Sequence, residues 1–303
     1  MKKQFFVLLV MLSAYFIVPF DIIFASNNTL NPGNGTYLLQ EATGADNSPI
    51  TVYYYRPDGW NAGDPMVVVF HGSNRNAEEY CRNWKGYAEE NNLLVICPEF
   101  TKQKYPGARY YSTGNVMDRF DGSGRIQPKD LWVFSSVNRI IRDAKERVDS
   151  KNSKVIVFGH SAGGQFLQRY IFFAETTVAD LIIPANAGWY TMPDFSVRFP
   201  YGIKDAPVTE SMLAVAFAKP VVVLLGEADV KRTNNLRITA RADKQGVNRL
   251  ERGKNFFATS QKMAEKLGVP FRWRLATVPR VGHNGKKMAE GAISYIKEVC
   301  RNG

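Results

Sequence analysis

The chain has 303 residues, 45% hydrophobic and 22% charged, with a formal net charge of +11. That length admits one large domain or two small ones, and the composition is that of an ordinary globular protein without repeats, heptads or low-complexity tracts. Three cysteines, Cys81, Cys97 and Cys300, are too few for a disulfide scaffold and lack metal-ligand spacing.

Lys2 and Lys3 form a positive start, Phe5 to Val18 is apolar, and Ile23-Phe24-Ala25 offers a cleavage point before Ser26. Residues 1–25 therefore read as a signal peptide, 26–34 as a linker and 35–303 as a single domain. The apolar run is short for a span and Pro19 breaks it, so no stable membrane anchor is expected after removal. A secreted or periplasmic location follows. In such an oxidising compartment Cys81 and Cys97 could pair, or all three cysteines could stay buried thiols. Both readings stay open.

Tyr37-Leu38-Leu39 and Thr51 to Tyr55 read as strands close enough to form an antiparallel hairpin. Met66 to Phe70 is a continuous apolar run, typical of a parallel strand buried on both faces. A helix carries Cys81, Trp84, Tyr87 and Ala88 on one face, and Leu93 to Cys97 forms the next strand. A loop rich in tyrosine, glycine and basic residues runs from Tyr105 to about Lys129. Val133, Val137, Ile140, Ile141, Ala144 and Val148 then mark an amphipathic helix. Lys154 to Phe158 is a strand, followed by a helix with Phe166, Leu167, Tyr170 and Ile171. Further strands lie at Leu181 to Ile183, Val221 to Leu225 and Arg272 to Ala276. Met288, Ala292, Ile296 and Val299 mark the last helix. This alternation predicts an α/β fold: a mostly parallel central sheet with helices on both faces and an antiparallel hairpin at its start.

Between the strand at Lys154 and its helix stands Gly159-His160-Ser161-Ala162-Gly163. A G-x-S-x-G on a strand-to-helix turn presents its serine as a nucleophile. Ser161 needs a base, and the base needs an orienting acid. Only three histidines exist: His71, His160 and His283. His160 adjoins the serine and should point elsewhere, whereas His283 follows the last strand and takes the final place in a serine, acid, histidine order. The acid comes from Gly226-Glu227-Ala228-Asp229, where Asp229 sits far enough past the strand to turn toward the imidazole and Glu227 is second choice. Backbone N–H groups of Ala162 and Ser73, with Asn74 as the alternative to Ser73, would bind an oxyanion. His71, Trp189 and Tyr190 are expected at the substrate, although packing is an equal reading for the two aromatics.

With these residues in place the chain resembles the α/β-hydrolase superfamily, and within it the secreted esterases related to polyhydroxybutyrate depolymerases and feruloyl esterases. The resemblance rests on His71-Gly72, Gly159 to Gly164, Gly226 to Asp229 and Gly282-His283, and spans roughly residues 35–300. It implies a serine ester hydrolase that works through an acyl-enzyme on a small-molecule or oligomeric ester, with no metal or organic cofactor. A peptidase, an acyltransferase or a non-catalytic binding protein could use the same frame. No separate polymer-binding domain and no long apolar lid are seen, which favours soluble or small esters. Lys231 to Lys254 holds eight basic residues against Asp243 and Glu251. That segment reads either as a solvated loop or as a cationic rim for an anionic ligand or envelope surface. No nucleic-acid motif accompanies it.

Overall fold

The computed structural model describes residues 29–301; the expected signal peptide lies outside them. One eight-stranded sheet runs through the molecule in the order β1-β2-β4-β3-β5-β6-β7-β8. Its antiparallel edge is β1 (Gly33–Leu39) and β2 (Ile50–Arg56), and β2 pairs antiparallel with β4 (Leu94–Pro98). From β4 onward every pairing is parallel, through β3 (Met66–Phe70), β5 (Val155–His160), β6 (Leu181–Ala185), β7 (Val222–Gly226) and β8 (Arg274–Val278). The expected architecture is therefore the observed one. Strands β3 to β7 are buried at every residue, as β-branched runs covered on both faces must be.

Two apolar layers cover the sheet. On one side α1 (Ala77–Asn91) and α8 (Gly285–Arg301) pack Trp84, Ala88, Met288 and Ile296 against Val67, Val69 and Phe158. On the other, α3 (Ser135–Arg147), α4 (Ala162–Phe173), α5 (Glu210–Ala218) and α7 (Arg249–Leu267) enclose Phe166, Leu213 and Phe256. Cys81 and Cys97 are free buried thiols, and burial pushes the Cys97 thiol up.

Three expectations change. Residues 33 and 34 of the expected linker already belong to β1, and Leu30 is buried while its carbonyl accepts from Arg56 Nη1 at 2.7 Å. The tyrosine-rich loop is not wholly irregular: it contains a short helix α2 (Gly107–Tyr111), and Tyr111 to Met117 are buried. The basic segment is not one solvated loop. A short helix α6 (Ala240–Asp243) lies within it, and from Arg249 onward it is α7, capped by Asn248 Oδ1 accepting from Glu251 N at 2.9 Å. Arg249 and Arg252 point inward and are buried. Among the described residues no helix is long and apolar enough to cross a membrane.

Candidate active site

The turn from β5 to α4 holds Ser161 at φ 57° and ψ −112°, a conformation that non-glycine residues rarely adopt. Two glycines make it feasible. A Cβ on Gly159 would meet the Gly163 carbonyl oxygen at 2.5 Å, and one on Gly163 would collide with the Phe70 carbonyl. The strand and helix thus close to backbone contact, and the serine is lifted above the carboxyl edge of the sheet.

Two other loops reach the same edge. The turn after β7 is stitched to the loop after β8 through Glu227 N to Val278 O (3.1 Å) and Ala228 N to Val281 O (2.9 Å). Asn186, just past β6, ties both together: its Oδ1 accepts from Gly226 N at 2.7 Å and its Nδ2 donates to Gly282 O at 3.2 Å. The result is an unbroken relay. His283 Nε2 stands 3.0 Å from Ser161 Oγ, and His283 Nδ1 stands 2.7 Å from Asp229 Oδ2. Glu227 takes no part; it is exposed and accepts from the Thr277 hydroxyl at 2.8 Å. Behind the relay Arg249 Nη1 lies 3.3 Å from Asp229 Oδ1, both side chains almost fully buried. Sequence reasoning counted Arg249 only as part of a basic run.

Of the expected oxyanion donors, Ala162 follows the serine directly and Ser73 lies at the cleft. Ala162 opens α4, where the helix supplies no acceptor for its N–H. Ser73 is exposed at the cleft on the loop after β3. That loop is clamped from behind by Arg75, whose guanidinium donates to the carbonyls of Phe100 (2.7 Å), Tyr105 (3.1 Å) and Gly107 (3.2 Å) and lies over the Tyr111 ring.

His71 does not face the cleft, contrary to expectation. It is fully buried, its Nε2 accepts the Phe100 N–H at 3.0 Å, and its Nδ1 therefore carries the proton toward Gly72 O, also at 3.0 Å. Burial lowers its pKa to about 3, so it is a neutral pin for the loop rather than a substrate contact. Tyr190 is also interior, stacked on Phe256 with ring centroids 4.5 Å apart. Trp189 is buried too, between Arg169 (4.0 Å from the ring centroid) and Tyr201 (4.9 Å). Both aromatics pack because their loop turns back over α4 and α7.

Above Trp189 lies Arg237. Its Nε donates to Tyr201 Oη at 2.6 Å, and its guanidinium rests over the Phe120 ring at 4.8 Å. Of the eight basic residues, Arg232 and Arg252 pair with Asp243 and Arg249 with Asp229, whereas Arg237 and Arg241 lie against aromatic rings.

The cleft over Ser161 measures about 430 Å³. Its walls carry five asparagines (Asn74, Asn76, Asn83, Asn235 and Asn284), together with Glu79 and Lys286, and no large aliphatic side chain. Such a lining suits hydrogen-bonding substrates better than long acyl chains. Among the described residues no cluster of three or more His, Cys, Asp or Glu side chains could hold a metal ion.

This sheet order, with a serine elbow on the central strand, defines the α/β-hydrolase fold. No protein-family model matches the chain, and no curated protein does. Solved structures do. Poly(aspartic acid) hydrolase-1 from Sphingomonas sp. KT-1 is 34% identical over 88% of this chain and 100% of its own, with a TM-score of 0.82. The poly(3-hydroxybutyrate) depolymerase of Bordetella parapertussis is 31% identical over 90% of this chain and 94% of its own, with a TM-score of 0.81. A fluorophosphonate-binding serine hydrolase of Staphylococcus aureus, 13% identical over 89% of this chain and 99% of its own with a TM-score of 0.55, shares the fold. The chain belongs to the family of α/β-hydrolases that includes the first two, and it is a hydrolase.

Proposed function

We propose that the chain is a serine hydrolase of carboxylic esters in which Ser161, His283 and Asp229 act as the triad. The observation that carries this reading is the relay from Ser161 Oγ through His283 to a buried Asp229, with contacts of 3.0 and 2.7 Å. His283 Nε2 takes the Ser161 proton as Oγ bonds to the acyl carbon, and the carbonyl electron pair moves to oxygen. The Ala162 and Ser73 N–H groups hold that oxyanion. Its collapse expels the alcohol, which leaves with the proton from His283, and water repeats the sequence on the acyl-enzyme. Asp229 holds the imidazole tautomer throughout.

The polar cleft supports a short, hydrophilic acyl or alcohol group. The relatives named for poly(aspartic acid) and poly(3-hydroxybutyrate) support an oligomeric substrate. The signal-like residues 1–25 support export, testable by sequencing the amino terminus of the mature protein from the periplasm or medium.

The deciding experiment measures hydrolysis of p-nitrophenyl acetate, butyrate and octanoate, and of both relatives' polymers, by wild type, Ser161→Ala and His283→Ala. An acyl-enzyme burst on the short esters, lost in both variants, is expected. Equal activity in Ser161→Ala overturns the mechanism, and preference for the octanoate overturns the hydrophilic substrate class.

A further inference from the structure

Tyr80 sits in the first turns of α1 and reaches the cleft wall beside the serine. Its surroundings decide where its single proton can go. The hydroxyl oxygen stands 2.8 Å from His160 Nδ1. Burial pushes the phenol up and keeps it protonated. Burial likewise holds His160 well below the usual imidazole range, with His283 and Arg249 adding to the effect, so this ring is neutral and carries one proton.

That proton has two places. His160 Nε2 is enclosed and has no hydrogen-bond partner among the described residues. A proton there would strand a buried N–H, whereas a proton on Nδ1 strands only a lone pair, the smaller cost. His160 therefore donates from Nδ1 to the Tyr80 oxygen. With His160 Nδ1–H donating, the phenol oxygen is the acceptor in that bond, and its own O–H is left to find another acceptor.

The acceptor that the cleft offers is a substrate oxygen at the serine. Tyr80 and Ser161 line the same cleft, and a Cβ on Gly72 would lie 3.0 Å from Tyr80 Oη and 3.8 Å from Ser161 Cβ, so both border the space that a side chain at Gly72 would fill.

We propose that Tyr80 is a third oxyanion donor, its O–H hydrogen-bonding the substrate carbonyl oxygen as that oxygen becomes negative at Ser161. The assignment rests on the serine mechanism above. The phenol forms no covalent bond and keeps its proton. His160, the second residue of the elbow, is then a positioning residue that aims the phenol.

The test compares wild type, Ser161→Ala and Tyr80→Phe on acetate esters whose leaving alcohols span a wide range of acidity. Ser161→Ala is expected to be inactive. Tyr80→Phe should melt lower than wild type, because the buried His160 Nδ1–H loses its acceptor, yet keep its KM and lose about tenfold to a hundredfold in kcat, equally for every leaving group. An unchanged kcat overturns the proposal while leaving the serine mechanism standing. A loss that grows as the leaving alcohol becomes less acidic places the phenol on the departing oxygen and also overturns it. Activity retained in Ser161→Ala removes the serine mechanism and this donor with it. Fluorotyrosine at position 80, a stronger donor of the same shape, should raise kcat about twofold at neutral pH. An unchanged or lowered kcat there overturns the role even where the phenylalanine variant fails to fold.

Discussion

Replacing Arg249 with methionine tests how Asp229, the acid of the proposed triad, is held. Arg249 Nη1 and Asp229 Oδ1 are 3.3 Å apart, and the two side chains are 1% and 2% exposed, so water screens neither. The substitution leaves a buried carboxylate with one charged or polar side-chain partner, the His283 Nδ1–H at 2.7 Å. Removing one member of a buried ion pair costs about 3–5 kcal/mol. Two facts place this case at the low end. The histidine bond survives, and Arg249 Nε and Nη2 have no partners among the described residues, so the desolvation of the guanidinium is only partly offset. About 3 kcal/mol is expected, which for a domain of this size lowers the melting temperature by about 6–10 °C. Activity should fall as well, by about tenfold to a hundredfold, because Asp229 loses one of the two contacts that fix its plane. Calorimetry and ester hydrolysis on Arg249→Met, Asp229→Asn and the double variant form the assay, with a coupling of about 2 kcal/mol expected. A melting temperature within 1 °C of wild type, or strictly additive variants, would refute the reasoning.

Asp229→Asn should cost on the order of 10⁴ in kcat by presenting an amide to His283, while Glu227→Gln should leave kinetics unchanged. The reverse ranking would move the acid to Glu227. His71 binds protons less readily folded, at about 3, than unfolded, near 6.5. Stability is therefore full above about pH 6.5 and declines as pH falls toward 3, by on the order of 4 kcal/mol from this group. Denaturation midpoints between pH 7 and 4 should fall less steeply in His71→Gln, and parallel curves would remove His71 from the account. Charge reversal at Arg237 and Arg241 should raise KM for anionic esters and spare neutral ones, because these two cations lie on aromatic rings rather than on carboxylates. An equal effect on both ester classes would count against a cationic rim.

Some of the site needed no structure. The elbow is contiguous in the chain, and its strand, turn and helix each follow from neighbouring residues, so Ser161 could be read directly. With three histidines and one Gly-x-x-Asp after a strand, His283 and Asp229 followed from chain order. The α7 helix was hidden because its inward stripe carries Arg249, Arg252 and Ser260 beside Phe256 and Ala264, so a helical period exists without a hydrophobic one. His71, Trp189 and Tyr190 were misplaced for a related reason. A residue just past a strand can point to solvent or to the core, and only the packing of Phe100, Tyr201 and Phe256 decides which.

The sequence by itself determined the fold class, the candidate nucleophile and the chain order of its candidate partners, because strand burial, glycine spacing and chain order are local properties. The tertiary structure decided what surrounds them. It chose Asp229 over Glu227 by turning one carboxylate inward, set Arg249 behind it and brought Tyr80 to His160 across eighty residues. These choices depend on which lone pairs and charges become buried together, and burial is settled only when distant segments close on one another.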